Sequence, residues 1–286
     1  MDGIYLINKR RDWTSFDVVK YIRKHFPTFK VGHSGTLDPF ATGLLIVLVG
    51  KATKLVPYLN ELPKTYIATL KLGEATVSLD SDSPITNRAD VPVFDEEQIN
   101  EVLQSFTGES MQTPPMVSAL KKDGVPLYKL ARQGIEVERK PRRIYISAIN
   151  LLNYDSKNNL ITFEAEVTSG TYIRTLGSDI ASKLGTIGHL VALQRSKNAN
   201  FNVEDAKDVS EIASLQPQSV VKALSHYKQV EVSDEDAQKI KYGQKLRLPY
   251  DEQDLIAISK TNEILAHLSL ENKNENLYKI ARGLFL

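Results

Sequence analysis

The sequence has no cysteine among its 286 residues, which excludes disulfides, thiolate catalysis and cysteine-ligated zinc. It also lacks any apolar stretch near the ~20 residues needed to span a bilayer. The longest such run, at residues 44–49, has the length of a strand. The N-terminus has neither the basic start nor the long apolar core of a signal peptide. These absences predict a soluble, cytoplasmic protein.

Several common site motifs are missing as well. There is no Gly-x-Gly-x-x-Gly after a strand, no P-loop, no His-Glu-x-x-His and no Gly-x-Ser-x-Gly. The histidines are scattered without metal-ligand spacing; they are His25, His33, His189, His226 and His267. The sequence therefore contains none of the common motifs that would indicate hydride transfer, nucleotide hydrolysis, zinc chemistry or serine hydrolysis.

The net charge of +1 conceals a segregation along the chain. Residues 74–110 contain nine acidic side chains and one basic, whereas residues 121–143 contain eight basic and three acidic. Basic segments of this kind can form a positive face for a polyanion such as RNA. A well-solvated mixed surface explains the same counts, and composition by itself favours that second interpretation.

Strand and helix patterns alternate without an internal repeat. Strands are predicted at residues 3–7, 44–49, 65–72, 161–168, 255–259 and 264–270. Helices are predicted after Thr14, over residues 173–184 with Gly185 as the cap, and over residues 204–225 with an interruption at Pro217. The sequence thus predicts an α+β fold, with a large domain containing a mixed sheet and a small C-terminal β-rich module.

The segment GHSGTLDPFATG at residues 32–43 has the most functional character. Its glycines and proline indicate a tightly specified backbone that a ligand can approach closely. Asp38 precedes Pro39, which disfavours the helical conformation, so the carboxylate projects from a loop. Taken alone, however, an Asp-Pro pair is more often an ordinary turn.

This segment resembles the catalytic motif of the TruB family of pseudouridine synthases, Gly-His-x-Gly-x-Leu-Asp-Pro-x-Ala-x-Gly, and matches every fixed position. Further family motifs recur in the same order over about residues 3–200. They are KTY at residues 64–66, a segment that begins QTPPMVSALK at 112–121, GTYIRT at 170–175 and LQR at 193–195. Two segments depart from the family: KRRDWTS at 9–15 replaces Lys-Pro-x-Gly-x-Thr-Ser, and LGEATVSLD at 72–80 keeps Thr76 and Asp80 but has Val77 in place of an acid.

The resemblance implies isomerisation of uridine to pseudouridine at position 55, in the T loop of tRNA, with the base flipped out of its stack. Asp38 is then the catalytic carboxylate, acting as a nucleophile or as a base. Arg174 pairs with it, and Tyr66 stacks on the base and takes part in catalysis. Other substrate-binding side chains implied by the family are those of His33, Tyr172 and Leu193. No atom is lost and no redox change occurs, so no cofactor or metal is expected.

The resemblance also implies a division of the chain and a partner. Residues 1–226 would form the catalytic domain, with an RNA-binding loop at about 112–143, and residues 227–286 a PUA-like RNA-binding module. The loop would contact RNA through the basic side chains Lys121, Lys122, Lys129 and Arg132. The expected partner is the T-arm stem-loop of tRNA, with no membrane and no obligate protein partner, and the chain is expected to be a monomer.

Two alternatives of other classes remain open from the sequence. One is an RNA-binding or tRNA-folding protein whose catalysis is dispensable. Retention of Asp38, Tyr66 and Arg174 argues against it, because gripping RNA needs no carboxylate beside the phosphates. The other is a small-molecule glycosidase, which would normally require a second carboxylate as the acid. The C-terminal residues could also be a β-rich appendage unrelated to PUA.

Overall fold

The computed structural model describes residues 2–286, which form seven α-helices, eighteen β-strands and a few short 3-10 turns. The helices are α1 Ser15–His25, α2 Val56–Asn60, α3 Glu96–Gln104, α4 Leu127–Arg132, α5 Ile173–Lys183, α6 Val220–Ala223 and α7 Asp234–Lys241. The strands are β1 Gly3–Lys9, β2 Val31–Ser34, β3 Thr42–Val49, β4 Lys64–Leu72, β5 Glu74–Thr76, β6 Ile85–Arg88, β7 Gly108–Gln112, β8 Lys121–Lys122, β9 Val125–Pro126, β10 Arg142–Asp155, β11 Leu160–Val167, β12 Gly188–Asn198, β13 Phe201–Asn202, β14 Lys228–Glu231, β15 Leu246–Arg247, β16 Asp254–Ile258, β17 Ile264–Asn272 and β18 Leu277–Gly283.

A large sheet of nine strands organises most of the chain. Its main path runs β1-β3-β12-β4-β11-β10-β7, with β2 paired to β3 and β13 to β12. Every pair in it is antiparallel except β3 and β12, which run parallel and join Gln194 to Thr42 and Arg195 to Gly43. The sheet is therefore mixed and mainly antiparallel, and the predicted α+β class is confirmed.

The sheet is buried on both faces near β1 and β3, which explains the continuous apolar run at residues 44–49. Leu45, Val47 and Val49 belong to the apolar core on one face, which also contains residues of helices α1, α3 and α5. Leu44, Ile46 and Leu48 point to the opposite face, where they pack around α2 and α6. Because successive side chains of a strand point to opposite faces, β3 contributes side chains to both cores.

A second, five-stranded sheet in the order β14-β16-β17-β18-β15 contains the C-terminal residues. It has its own core, which includes Leu255 and Tyr278. Ile256 and Leu284 also pack into the second face of the large sheet, and Lys54 Nζ donates to the Leu284 carbonyl at 2.6 Å. The predicted β-rich C-terminal part is confirmed, and it is packed against the large sheet.

Helix ends agree with the predicted capping. Thr14 caps α1, and its hydroxyl accepts from the Asp17 backbone N–H while the Asp17 carboxylate accepts from the Thr14 N–H, which completes a capping box. Helix α5 covers the residues predicted for it, and Gly185 follows with a φ of 79°, the left-handed conformation that glycine tolerates best. No helix among residues 2–286 is long and apolar enough to cross a membrane.

The prediction of a helix over residues 204–225 was wrong. Within this stretch the structure has 3-10 turns at Val203–Asp205 and Val209–Glu211 and the four-residue helix α6. The chain instead runs along the free edge of β1: Asn8 N donates to Lys207 O at 2.8 Å, and Gln218 N donates to Ile4 O at 2.7 Å. Pairing this otherwise open strand edge outweighed the local helical pattern.

The first turn shows how the chain accommodates its departure at residues 9–15. Asp12 occupies the position of the family's glycine and adopts a φ of 65°, a conformation that Asp tolerates better than most side chains. Arg10, in place of the proline, lies 4.0 Å from the centre of the Trp13 ring. The Asp12 N–H donates to Pro39 O at 2.9 Å. The turn therefore supports the loop that carries Asp38.

Candidate active site

A cavity of about 450 Å³ opens beside the junction of β3 and β12. Its walls come from the loop between β2 and β3, from β4 and β12, from residues 118–120 and from the turn into α5. The lining side chains include His33, Asp38, Lys64, Tyr66, Ser118, Tyr172, Arg174, Leu193 and Arg195. The structure thus brings together all six residues predicted for catalysis and substrate binding.

Asp38 lies in a loop held at several points. The Ala41 N–H donates to Asp38 O at 3.1 Å, and the Leu37 N–H donates to Ser15 Oγ at 2.9 Å. The Asp38 side chain is 35% exposed, and the cavity that it lines provides that access. The carboxylate therefore faces the cavity from a fixed backbone.

Arg174, in the first turn of α5, connects this carboxylate to the rest of the site. Its Nε lies 2.9 Å from Asp38 Oδ2, and its Nη2 donates to Asp38 Oδ1 at 3.2 Å. This two-point pairing fixes the orientation of the carboxylate. Nη1 donates to the Ser78 carbonyl at 2.6 Å, and Nη2 to the Val117 carbonyl at 2.8 Å.

Asp80 is a second carboxylate on the same guanidinium, and it was not among the predicted site residues. Its Oδ2 lies 3.3 Å from Arg174 Nη1, and both side chains are almost fully buried. Asp80 also accepts from the Ser78 hydroxyl and from the Asp82 N–H. The sequence did retain Asp80 in its motif at residues 72–80, but nothing local indicated that it pairs with Arg174.

The electrostatics of Asp38 reflect competing influences. Burial raises the pKa of its carboxyl, the adjacent Arg174 opposes that rise, and the negative charge of Asp80 adds to it, so that the pKa lies above the ordinary value. A raised pKa makes the carboxylate a stronger base than a surface aspartate. Asp38 must still be ionised to act as a nucleophile or a base.

Lys9 supports the Asp38 loop from behind. Its buried ammonium donates to Trp13 O at 2.6 Å, Arg10 O at 3.0 Å and Pro39 O at 3.2 Å. Burial lowers the pKa of Lys9 to about 8, although the nearby Asp38 charge opposes that change. Lys9 thereby connects the first turn to the loop that contains Asp38.

The remaining predicted side chains occupy different walls. Tyr66 is on β4 and Leu193 on β12, and both are mostly buried. Tyr172 directly precedes α5; its backbone N–H donates to Gln112 Oε1 at 2.8 Å, which joins this wall to the end of β7. His33 has a buried Nδ1 without a partner, and burial lowers the pKa of the ring. The positive charge of Arg195 lowers the pKa of His33 further, and both influences favour the neutral ring.

Two further cations in the cavity wall, Lys64 and Arg195, were not predicted as site residues. Arg195 is fully buried and Lys64 nearly so. Both residues lie in segments that match family motifs, KTY and LQR. Their proximity arises because β4 pairs with β12, which no local pattern reveals.

The basic side chains predicted to contact RNA lie in the segment that continues from the cavity wall. Lys121 and Lys122 form the short strand β8, and Lys129 and Arg132 lie on α4; all four are at least partly exposed. Arg139 Nη1 donates to Pro114 O at 3.2 Å and closes the base of this segment. Across residues 2–286 there is no cluster of three or more His, Asp or Glu side chains arranged to hold a metal ion.

The architecture of the chain is shared with known structures. The chain shares the fold of one chain in the crystal structure of a Cbf5–Nop10–Gar1 complex, with a TM-score of 0.74 and 24% identity over 99% of this chain and 84% of that one. It also shares the fold of a chain in the structure of an H/ACA RNP bound to a substrate RNA containing 2′-deoxyuridine. The TM-score is 0.72, with 23% identity over 99% of this chain and 85% of that one. At these identities the likeness establishes the architecture.

Sequence comparison establishes the family. Residues 23–173 match the model of the TruB family pseudouridylate synthase (N terminal domain). The chain is 44% identical to tRNA pseudouridine synthase B of Syntrophotalea carbinolica, over 85% of this chain and 81% of that protein. It is 42% identical to the enzyme of the same name from Opitutus terrae, over 78% and 92%. The chain belongs to the TruB family of pseudouridine synthases, and the predicted resemblance is confirmed.

Proposed function

We propose that this isomerase acts on tRNA and converts the uridine at position 55 of the T loop to pseudouridine, with Asp38 as the catalytic carboxylate. The observation that carries the proposal is the Asp38 carboxylate held by Arg174, with contacts of 2.9 and 3.2 Å, in a cavity that Tyr66 also lines. The names of the relatives support tRNA as the substrate.

The reaction breaks the bond between C1′ and N1, turns the uracil and joins C1′ to C5. Asp38 acts on the sugar, either at C1′ as a nucleophile or as a base that removes a sugar proton. Tyr66 stacks on the uracil, and its hydroxyl assists transfer of the C5 proton. Leu193 closes the cavity over the base, and His33 and Tyr172 hold the everted nucleotide. No cofactor enters the reaction.

Binding of the tRNA is assigned to surfaces outside the cavity. The cations Lys121, Lys122, Lys129 and Arg132 would contact phosphates of the T arm. We assign residues 1–226 to the catalytic domain, with its RNA-binding loop at about 112–143, and residues 227–286 to a PUA-like RNA-binding module. The five-stranded C-terminal sheet supports that second assignment. One asymmetric cavity serves one tRNA, so we expect the chain to act as a monomer.

Tritium release from tRNA transcripts tests the proposal. A transcript labelled at C5 of every uridine should lose one equivalent of tritium, whereas a matched transcript with cytidine at position 55 should lose none. Equal release from both transcripts would show that position 55 is not the target uridine. Binding of the competent transcript without any release would instead favour an RNA-binding or tRNA-folding protein whose catalysis is dispensable.

A further inference from the structure

One wall of the cavity contains two buried cations that have no carboxylate partner among residues 2–286. Arg195 donates from Nε to Leu44 O at 2.8 Å and from Nη2 to Gly35 O at 3.1 Å, while its buried Nη1 has no partner. Lys64 Nζ donates to the carbonyls of Asn60 and Leu62 at 2.9 and 2.8 Å. Over that same part of the chain, no carboxylate lies at ion-pair distance from either cation.

The two cations are close to each other. A Cβ placed on Gly35 would lie 3.2 Å from Arg195 Nη1 and 3.3 Å from Lys64 Cε. Burial, and then the Arg195 charge, lower the pKa of Lys64 to about 8. Two adjacent like charges without a counterion are unfavourable in a buried site. A negative charge that forms in the cavity would relieve this repulsion.

Strand geometry places both cations beside the position of the base. Lys64 precedes Tyr66 by two residues on β4, so the two side chains emerge on the same face. Arg195 is directly opposite Tyr66 on β12. All three residues line the cavity. A uracil stacked on Tyr66 would therefore lie next to Lys64 and Arg195.

The opposite wall has the reverse charge. There Asp38 and Asp80 share the single guanidinium of Arg174. Behind the loop, the charge of Lys9 acts first on Asp38, and Asp12 and Asp82 lie close enough to Lys9 to offset it as well. The cavity is thus polarised, with excess negative charge beside the sugar and excess positive charge beside the base.

This polarity matches the charge separation of the reaction. When C1′–N1 breaks, its electron pair leaves with the base, so the uracil becomes an anion and the sugar carbon becomes electron-poor. An electron pair of the uracil then forms the bond from C5 to C1′, the C5 proton is lost and N1 gains a proton. The uracil departs as an anion whether Asp38 attacks C1′ or removes a sugar proton.

We infer that Lys64 and Arg195 stabilise the negative charge on the detached uracil; the inference rests on the proposed function. A preorganised positive field in a water-poor cavity favours such a charge without reorganisation. A backbone phosphate is a poorer match to these groups, because the guanidinium of Arg195 is fully buried and has no surface for direct contact. A base inside the cavity experiences the field of both cations across a short, poorly screened distance.

The test compares single-turnover rates on two tRNA substrates, with uridine or 5-fluorouridine at position 55. Both rates are measured as loss of the original nucleoside, because fluorine replaces the C5 proton and the 5-fluorouridine reaction ends once C5 has joined C1′. Lys64 is the residue to change, since Arg195 also anchors two backbone carbonyls. Lys64→Met should slow the uridine reaction about 10- to 100-fold, somewhat less than the roughly 10²–10³-fold cost of losing a direct oxyanion donor. Binding of tRNA should be unchanged, and Lys64→Arg should restore most of the rate.

Fluorine withdraws electrons and stabilises the uracil anion by itself, so Lys64→Met should slow the 5-fluorouridine reaction markedly less. The matched control is Lys71→Met, on the same strand but outside the cavity, which should match the wild type on both substrates. An equal loss on both substrates would overturn the inference. So would weaker tRNA binding at an unchanged rate, which would make Lys64 a phosphate contact.

If Lys64→Met fails to fold by circular dichroism, the pH dependence of the rate carries the test. The charged neighbour of Lys64 is Arg195, with His33 beside it. The wild-type rate should fall as pH rises above about 8, and Lys64→Arg should remove that fall because arginine stays protonated. An unchanged fall would assign the titration to Lys9 and overturn the inference. A wild type that converts no uridine would instead reject the proposed function.

Discussion

The charged groups of the cavity and those of the basic segment at residues 112–143 are held in opposite ways. Arg174 is almost wholly buried and has fixed partners on two carboxylates and two carbonyls. Lys121, Lys122 and Lys129 are exposed, and none of them forms an ion pair within residues 2–286. The effect of a buried charge depends on the exact positions of its partners within a few ångströms. Exposed charges contribute to a screened field to which each adds nearly independently. Changes in the cavity should therefore affect rate, and changes in the segment should affect affinity.

The largest expected effect comes from Asp38→Asn. Removing the carboxylate should lower single-turnover tritium release by at least about 10⁴-fold, as expected for the loss of a group that acts directly on the reacting atoms. Binding of tRNA, measured by filter retention, should stay near wild type. Asp90→Asn, an exposed aspartate outside the cavity, is the control. Normal turnover by Asp38→Asn would remove Asp38 from its catalytic role.

Asp80→Asn should have the next largest effect. It weakens the second anchor of Arg174, and a small displacement of the guanidinium would misplace Asp38. Misplacement of this kind lowers the rate about 10²-fold. The single-turnover rate of tritium release should therefore fall about 10²-fold, with the affinity for tRNA unchanged. Asp82→Asn changes a neighbouring carboxylate that does not pair with Arg174, and it should change the rate little. Similar losses in both variants would mean that the anchor itself is unimportant.

The basic segment should show the opposite pattern. Replacing Lys121, Lys122 and Lys129 with methionine should weaken tRNA binding and leave the single-turnover rate at saturation unchanged. The slope of log K against log salt should become less steep by roughly 0.7–0.9 for each phosphate that the variant no longer neutralises. Replacing Lys51, Lys157 and Lys241, which are exposed elsewhere, controls for net charge. An unchanged slope would remove the segment from the interface.

The smallest effect is a displacement of the pH profile. Because the Asp38 pKa is raised, the wild-type rate should fall on acidification at a higher pH than the ~3.9 of an ordinary aspartate. The negative charge of Asp80 contributes to that rise, so Asp80→Asn should lower the Asp38 pKa and move the acid limb to lower pH. Single-turnover rates between about pH 4 and 7 measure the displacement. A shift in the other direction would contradict the assigned sign.

Part of this protein could be predicted from local sequence alone. Period-two alternation predicted β11, the apolar run at 44–49 predicted β3, and Thr14 with Asp17 marked the start of α1. These features depend on neighbours within a few residues, where backbone geometry fixes the side-chain period. The helix prediction for residues 204–225 failed because the conformation of that segment is set by the edge of β1, some two hundred residues earlier.

The motifs of the family predicted Asp38, Tyr66 and Arg174 as site residues, but their arrangement is a property of the tertiary structure. Asp38 and Arg174 are 136 residues apart and meet because α5 returns to the β2–β3 loop. Asp80 joins the same guanidinium, and β4 pairs with β12 to set Lys64 beside Arg195. No local period encodes such long-range register. Local sequence was enough to predict β3, β11 and the start of α1, because their patterns depend on neighbouring residues. The packing of the sheet decided the conformation of residues 204–225 and which charges share a wall of the cavity.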